Sequence, residues 1–178
     1  MKSMMKRLGG RTLDFFIYIG GIFHLFVSTL FHIFRPPLRR KEIFTQMYKI
    51  GVLSFPIVFL VAFFTGMVLA LQSAYQLTKM NAQIYIASLV ALSMVRELGP
   101  VLTALVIAGR VGAGITAELG TMKVTEQIDA LETLAANPVK YLVVPRFIAL
   151  CIMLPLLTIY ADFLGIIGGY LIGVYKLL

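Results

Sequence analysis

The sequence predicts an all-α membrane protein, and three observations carry that prediction. Hydrophobic residues make up 60% of the chain and charged residues 13%, where soluble domains run at about 45–50% and about 25%. A surface so short of charge could not face water. The run Ile50–Gln72 has no charge over 23 residues, and a bilayer core takes about 20. Two more apolar stretches follow it, 84–117 and 141–175, separated by short polar segments. The mean hydropathy of +0.92 agrees. At 178 residues the chain suits one bundle of a few helices, divided at residue 50 into a basic N-terminal segment (1–49) and a transmembrane domain (50–178).

The N-terminal segment holds nine Lys/Arg against Asp14 and Glu42, so +7 of the net +8 lies in its 49 residues. Basic residues beside apolar spans read as a cytoplasmic flank near anionic lipid. They alternate here with apolar helix, which argues against a nucleic-acid partner. Within this segment, 13–34 is long enough to span, but Asp14, Tyr18, Gly21, His24, Ser28 and His32 recur at spacings of three and four. At about 100° per residue they share an arc of about 120°. That stripe, with positive charge on both sides, favours an interfacial elbow helix over a crossing helix. The apolar stretch is too long for a signal peptide and no small-residue cleavage site follows, so the segment is expected to be retained.

Pro56 is tolerable near the start of the first span, Ile50–Gln72. Ser73–Gln83 is a short polar loop with Lys79. The second apolar stretch is interrupted by Arg96-Glu97 and Arg110, and the third carries Arg146 and Asp162. With a cytoplasmic N-terminus, the Lys79 loop is external and Glu118–Lys140 returns to the cytoplasm. The single cysteine, Cys151, excludes an internal disulfide and a cysteine metal cluster; its apolar setting suits a small buried hydrophobe.

Arg96-Glu97 precedes Leu98-Gly99-Pro100. Charges at membrane depth cost about 2.5–3.5 kcal/mol each on insertion scales unless they face a polar cavity or each other. Neighbours on a helix point about 100° apart and cannot cap one another. Each therefore needs another partner, and Pro100 allows a kink there. A functional cavity satisfies this, and so does a break into two shorter segments with the pair at an interface. Asp162 allows the same two readings.

Small residues recur at four-residue spacing: Ala104, Ala108 and Gly112 on one face, Gly109, Ala113 and Ala117 on another, and Gly165, Gly169 and Gly173 in the third stretch. Such faces let helices approach closely in lipid, so Gly109, Gly112, Gly165, Gly169 and Gly173 are helix-packing candidates. The glycines around Arg110 lack the Lys-Ser/Thr of a nucleotide-binding loop, and no Walker A sequence occurs. His24 and His32 lie on the polar stripe with no carboxylate cluster around them, so no metal site is expected.

Between the second and third stretches, about 125–136 reads as a short amphipathic helix. Ile128, Leu131 and Leu134 form one face and Glu126, Asp129 and Glu132 another, with acid in the first turn and Asn137-Pro138 ending it. Apolar teeth with an acidic edge suit docking into a groove on another protein, or a solvated interfacial loop.

Taken together, Gly66-Met67-Val68-Leu69-Ala70-Leu71-Gln72, Arg96-Glu97-Leu98-Gly99-Pro100-Val101, Ala108-Gly109-Arg110-Val111-Gly112, Thr116-Ala117-Glu118-Leu119-Gly120, Thr125-Glu126-Gln127-Ile128 and Pro145-Arg146-Phe147 resemble the MlaE/YrbE permease family of lipid-moving ABC transporters. Their order and spacing match from about Gly51 to Gly173. The resemblance implies an elbow helix and a homodimer in the cell inner membrane with phospholipid held between subunits. It also implies that Arg96 and Glu97 lie near the lipid path. Glu126, Gln127, Ile128, Asp129, Leu131 and Glu132 would belong to a coupling helix seated on a separate ABC ATPase. ATP would be used by that partner, with no cofactor bound here and no catalytic residue of the chain's own. Further implied partners are an MCE-domain lipid-binding protein and a STAS-domain protein. The family has five spans, so the expectation is a chain truncated relative to it. An ion-coupled transporter or channel built on Arg96, Glu97 and Asp162 is one alternative; an integral-membrane lipid-modifying enzyme is the other.

Overall fold

The computed structural model describes residues 2–34 and 39–177, and the side chains of 13–34 and 39–174. Lys2, Lys6, Arg7, Arg11, Arg35 and Lys176 have side chains outside that range. Among the described residues every regular element is helical, as the hydropathy requires.

Seven α-helices follow in order: α1 (Lys2–Ile33), α2 (Arg40–Ile50), α3 (Phe55–Thr78), α4 (Ile86–Ser93), α5 (Gly99–Val124), α6 (Gln127–Thr133) and α7 (Val144–Leu177). Among the described residues four helical stretches are long and apolar enough to cross a membrane: Leu13–Ile33, Arg40–Thr78, Gln83–Val124 and Val139–Val174. Three of them coincide with the expected spans, and the first two of these three overrun theirs at both ends, because helix continues into polar sequence. α3 runs to Thr78 through the expected Ser73–Gln83 loop, and α5 continues past Glu118 to Val124.

α2 was not foreseen. Its stretch read only as a basic flank, yet Ile43, Met47 and Ile50 recur at helical spacing and turn toward the bundle. α2 lies against α7. At Gly51, where α2 passes into a short 3-10 turn, a Cβ would collide with Met153 and with the Met47 carbonyl.

α3 and α7 form the spine of the bundle. On α3 the buried positions are Val58, Ala62, Gly66, Ala70 and Ala74, a strict four-residue repeat. Facing them are Ala149, Met153, Leu157, Ala161 and Leu164 of α7, which share one buried cluster with Ile107 and Val111 of α5. Cys151, expected to be buried, is instead exposed on the outer face of its helix. A Cβ on Gly66 would overlap the Gly165 carbonyl, and one on Gly168 the Phe63 carbonyl. Backbone meets backbone here, the close approach that small residues permit in lipid.

Two π-helical turns interrupt the spans, Met94–Leu98 and Val139–Val143, and each ends two residues before a proline, Pro100 and Pro145. Proline lacks an N–H and its ring crowds the carbonyl four residues back; a wider turn relieves both problems and is a feature frequent at functional sites. The kink expected at Pro100 is thus a π turn carrying Arg96 and Glu97.

α1 is one unbroken helix of 32 residues. Among its described side chains only those of the last turns touch the bundle: Thr29 is buried, and Ser28, His32 and Ile33 are half-covered, while Asp14, Tyr18, Gly21 and His24 are exposed. The polar stripe therefore continues the inward-facing side of the helix.

Candidate functional site

The tip of the hairpin formed by α5 and α7 presents α6. Its N-cap, Glu126, has φ 57°, and Ala135 beyond its C-terminus has φ 55°. Left-handed backbone is uncommon for non-glycine residues, and the two turns set α6 off sharply from the helices on either side. Lys123 near the end of α5 pairs with Asp129 at 2.6 Å. Glu126, Gln127, Asp129 and Glu132 are exposed, whereas Ile128 and Leu131 are half-covered. Leu134 and Val124, 77% and 84% exposed, are the free apolar teeth. The apolar face is thus divided between the chain itself and the surroundings. α6 is also shorter than the 125–136 expected: it ends at Thr133, ahead of the left-handed Ala135, and Asn137 does not end it. Asn137 Oδ1 accepts from the Val139 backbone N–H at 2.9 Å, capping the following helix instead. Its Nδ2 donates to His32 Nε2 at 3.4 Å, while His32 Nδ1 donates to the Ser28 carbonyl at 2.6 Å. The end of α1 is thereby tied to the hairpin.

Arg96 and Glu97 are both exposed on the π turn. Neither forms an ion pair or hydrogen bond with a described residue. Beside them, Asp162 of α7 lies against Gly99, where a Cβ would overlap its Oδ1. That oxygen and the hydroxyl of Thr103, one turn further along α5, are buried without a hydrogen-bond partner. Exposed charge and unpartnered polar atoms therefore meet at one level of the bundle.

Of the glycines singled out for packing, Gly165 and Gly169 face close neighbours, Met94 and Val90 respectively, while Gly109, Gly112 and Gly173 have open space where a Cβ would go. The buried face of α5 is Gly99, Thr103, Ile107 and Val111, so Ala104, Ala108 and Gly109 point outward. Gly173 borders an apolar groove of about 430 Å³ between α4 and α7, lined also by Val90, Ile166 and Tyr170.

Sequence reasoning missed the buried charge at the α6 end of the hairpin. Arg146, 5% exposed, donates from Nη2 to Glu118 Oε2 at 2.7 Å, and Lys49 of α2 approaches Glu118 Oε1 at 3.7 Å. Three helices, α2, α5 and α7, meet on one carboxylate. The available signal was symmetry. Glu118 and Arg146 flank α6, twelve and sixteen residues from its middle at Ala130, so an antiparallel hairpin brings them to nearly the same level. Arg110, also passed over, donates from Nη1 to Ser54 Oγ at 2.6 Å. Among the described residues no group of three or more His, Cys, Asp and Glu could hold a metal ion.

Long apolar helices, tight small-residue packing and an exposed short helix between two spans define a multi-pass membrane protein. The family model Permease MlaE matches residues 43–178, and the chain belongs to the MlaE permease family. It is 49% identical to a Rickettsia felis protein named "Probable ABC transporter permease protein", over 98% of this chain and 68% of that protein. It is 41% identical to the "Intermembrane phospholipid transport system permease protein MlaE" of Haemophilus influenzae, over 97% of this chain and 66% of that protein. A Synechocystis "Probable ABC transporter permease protein" is 45% identical over 85% of this chain and 57% of its own length. The chain thus spans about two thirds of the length of the first two. Permeases of this family are transport components.

Proposed function

We propose that this chain is the membrane subunit of an ABC transporter that moves phospholipid between the inner membrane and an extracytoplasmic MCE-type carrier, driven by a separate ATPase. The observation that carries the reading is α6, a short helix with an acidic edge between two spans, bracketed by left-handed residues and tied to α5 through Lys123 and Asp129. Such a helix can seat in a groove of a soluble ATPase and pass its movement to α5 and α7. Membership of a family containing a phospholipid transport permease supports lipid as the cargo.

In this reading α1 is the elbow helix. Its stripe from Asp14 to His32 lies at the interface, and its exposed Phe and Ile side chains face acyl chains. The chain works as a homodimer. Arg96 and Glu97, exposed on a π turn, face the lipid held between two copies, and the open small-residue face of α5 is free for the second copy. A small STAS-domain protein completes the assembly.

The test is Glu126→Lys combined with Asp129→Lys in the whole transporter. Both side chains are exposed, so the permease should fold normally, while lipid-stimulated ATP hydrolysis should fall about tenfold or more through like charges placed at a docking surface. Unchanged hydrolysis would remove α6 as the coupling element. Lipid transfer by the purified permease without any ATPase would replace the reading with an ion-coupled transporter.

A further inference from the structure

A second polar site lies away from Arg96 and Glu97, at the loop end of the bundle. A cavity of about 180 Å³ opens between α2, the last turns of α5 and the start of α7. Its charged lining is Glu42 and Lys49 of α2, Glu118 of α5 and Arg146 of α7, with Gln46 and Tyr141 beside them.

The lining is unevenly satisfied. Arg146 is almost wholly buried, yet only Nη2 has a partner; Nε and Nη1 are buried with none. A buried guanidinium nitrogen without an acceptor is costly, and native structures rarely keep one without water or a ligand. Glu118, its single acceptor, is shared with Lys49, so two cations divide one carboxylate. The shortage at this end of the cavity is of anionic oxygen. Glu42, on the same lining, forms no ion pair with a described residue, so a negative charge stands unmatched there. A ligand that completes the cavity offers anionic oxygens to Arg146 and Lys49 and a cation to Glu42.

The depth of the cavity selects among such ligands. Glu118 and Arg146 stand near the ends of the apolar stretches Gln83–Val124 and Val139–Val174, where hydrocarbon gives way to headgroups. Met122, Leu142 and Pro145 supply apolar wall. Guanidinium and ammonium groups suit phosphate oxygens, and at this level the abundant phosphate is that of lipid.

We propose that this cavity binds the phosphate of a phospholipid headgroup from the adjacent leaflet, with Arg146 and Lys49 as its ligands and Glu42 placed for the amine of a zwitterionic headgroup. The site depends on the chain being embedded in a bilayer and not on which cargo the transporter moves, so it stands or falls separately from the proposed function. A lipid held here wedges α2 against the α5–α7 hairpin beside α6.

Native mass spectrometry of the intact protein tests it, after detergent extraction and exchange into phosphatidylethanolamine, phosphatidylglycerol or phosphate-free diacylglycerol, with inorganic phosphate alone as a fourth arm. One phosphatidylethanolamine should survive delipidation, phosphatidylglycerol should be held less tightly and diacylglycerol not at all. Lys49→Gln, at a half-exposed position that should not disturb folding, should weaken retention about tenfold, and Arg146→Gln should abolish it. Glu42→Gln should erase the preference between the two phospholipids. Lys79→Gln, at an exposed position beyond the far end of α3, should change nothing. Equal retention by wild type and Lys49→Gln would overturn the proposal, as expected if water alone fills the cavity. Occupancy by inorganic phosphate that lipid cannot displace would overturn it in favour of a free-anion site.

Discussion

The α3–α7 seam and the outer face of α5 carry the same sequence signal and meet different fates. Both repeat small residues every four positions. In the seam the signal is consumed within the chain: Gly66 and Gly165 touch through backbone, and neither has room for a methyl group. On α5, Gly109 and Gly112 face open space, and Ala104 and Ala108 are exposed with them. Small-xxx-small spacing therefore states that a helix can be approached closely, and not by what. The buried side of α5 is built from Thr103, Ile107 and Val111, so its small-residue faces are surplus to the fold of this chain.

The comparison breaks most sharply at Gly66. Gly66→Leu should prevent assembly of the bundle, because the obstacle is the Gly165 carbonyl and no rotamer change moves it; a loss of at least about 3 kcal/mol is expected. A collapse of the thermal transition of the detergent-solubilised protein would register it, and a near-normal transition would show that the seam can open. Arg146→Gln comes next. Removing the buried partner of Glu118 leaves the carboxylate with Lys49 alone, and because the Glu118 side chain is 39% exposed, water limits the cost to about 2 kcal/mol. The same thermal transition measures it, and Arg146→Lys should recover part of the loss. Gly99→Ala should cost less again, about 1 kcal/mol, since the nearest group in the way is the carboxylate end of Asp162 and the Met94 carbonyl behind it has only a few tenths of an ångström to give.

These contrasts also mark what the sequence made legible. Spans were readable because a bilayer demands an uninterrupted apolar length, and Ile50–Gln72 meets it without reference to anything else. Their ends were not, since helix hydrogen bonding continues into polar sequence until something competes, as at Lys79 and Thr125. α2 was hidden by composition: its lysines and arginines outweighed Ile43, Met47 and Ile50 in any count by charge. Asn137 was read as a stop because Asn-Pro commonly ends a helix, yet its side chain faces forward and caps the Val139 turn. Glu118 and Arg146 could be paired only after the hairpin was known, because 28 residues separate them. At the candidate site, the acidic edge of α6 was legible from spacing alone; the half-covered state of Ile128 and Leu131 depends on α5 and was not.

The smallest effect is the most discriminating for the outer face of α5. Gly109→Ala replaces a glycine in mid-helix with the best helix former, a gain of about 0.5–1 kcal/mol where nothing is displaced. In the isolated chain nothing lies within reach of the new methyl group, so the thermal transition should rise slightly. In the proposed homodimer the outcome depends on where the second copy sits. If it packs on this face, the methyl group forces two backbones apart, and the dimer should dissociate at lower dilution although each subunit is more stable. If the face meets lipid, stability and dimerisation should both be unharmed. Gly165→Ala provides the internal standard, because there Met94 must yield to the added methyl group whether or not a second copy is present. A substitution that stabilises the subunit and weakens the assembly would assign the surplus small-residue face of α5 to contact between copies, whereas stabilisation of both would leave it to the bilayer.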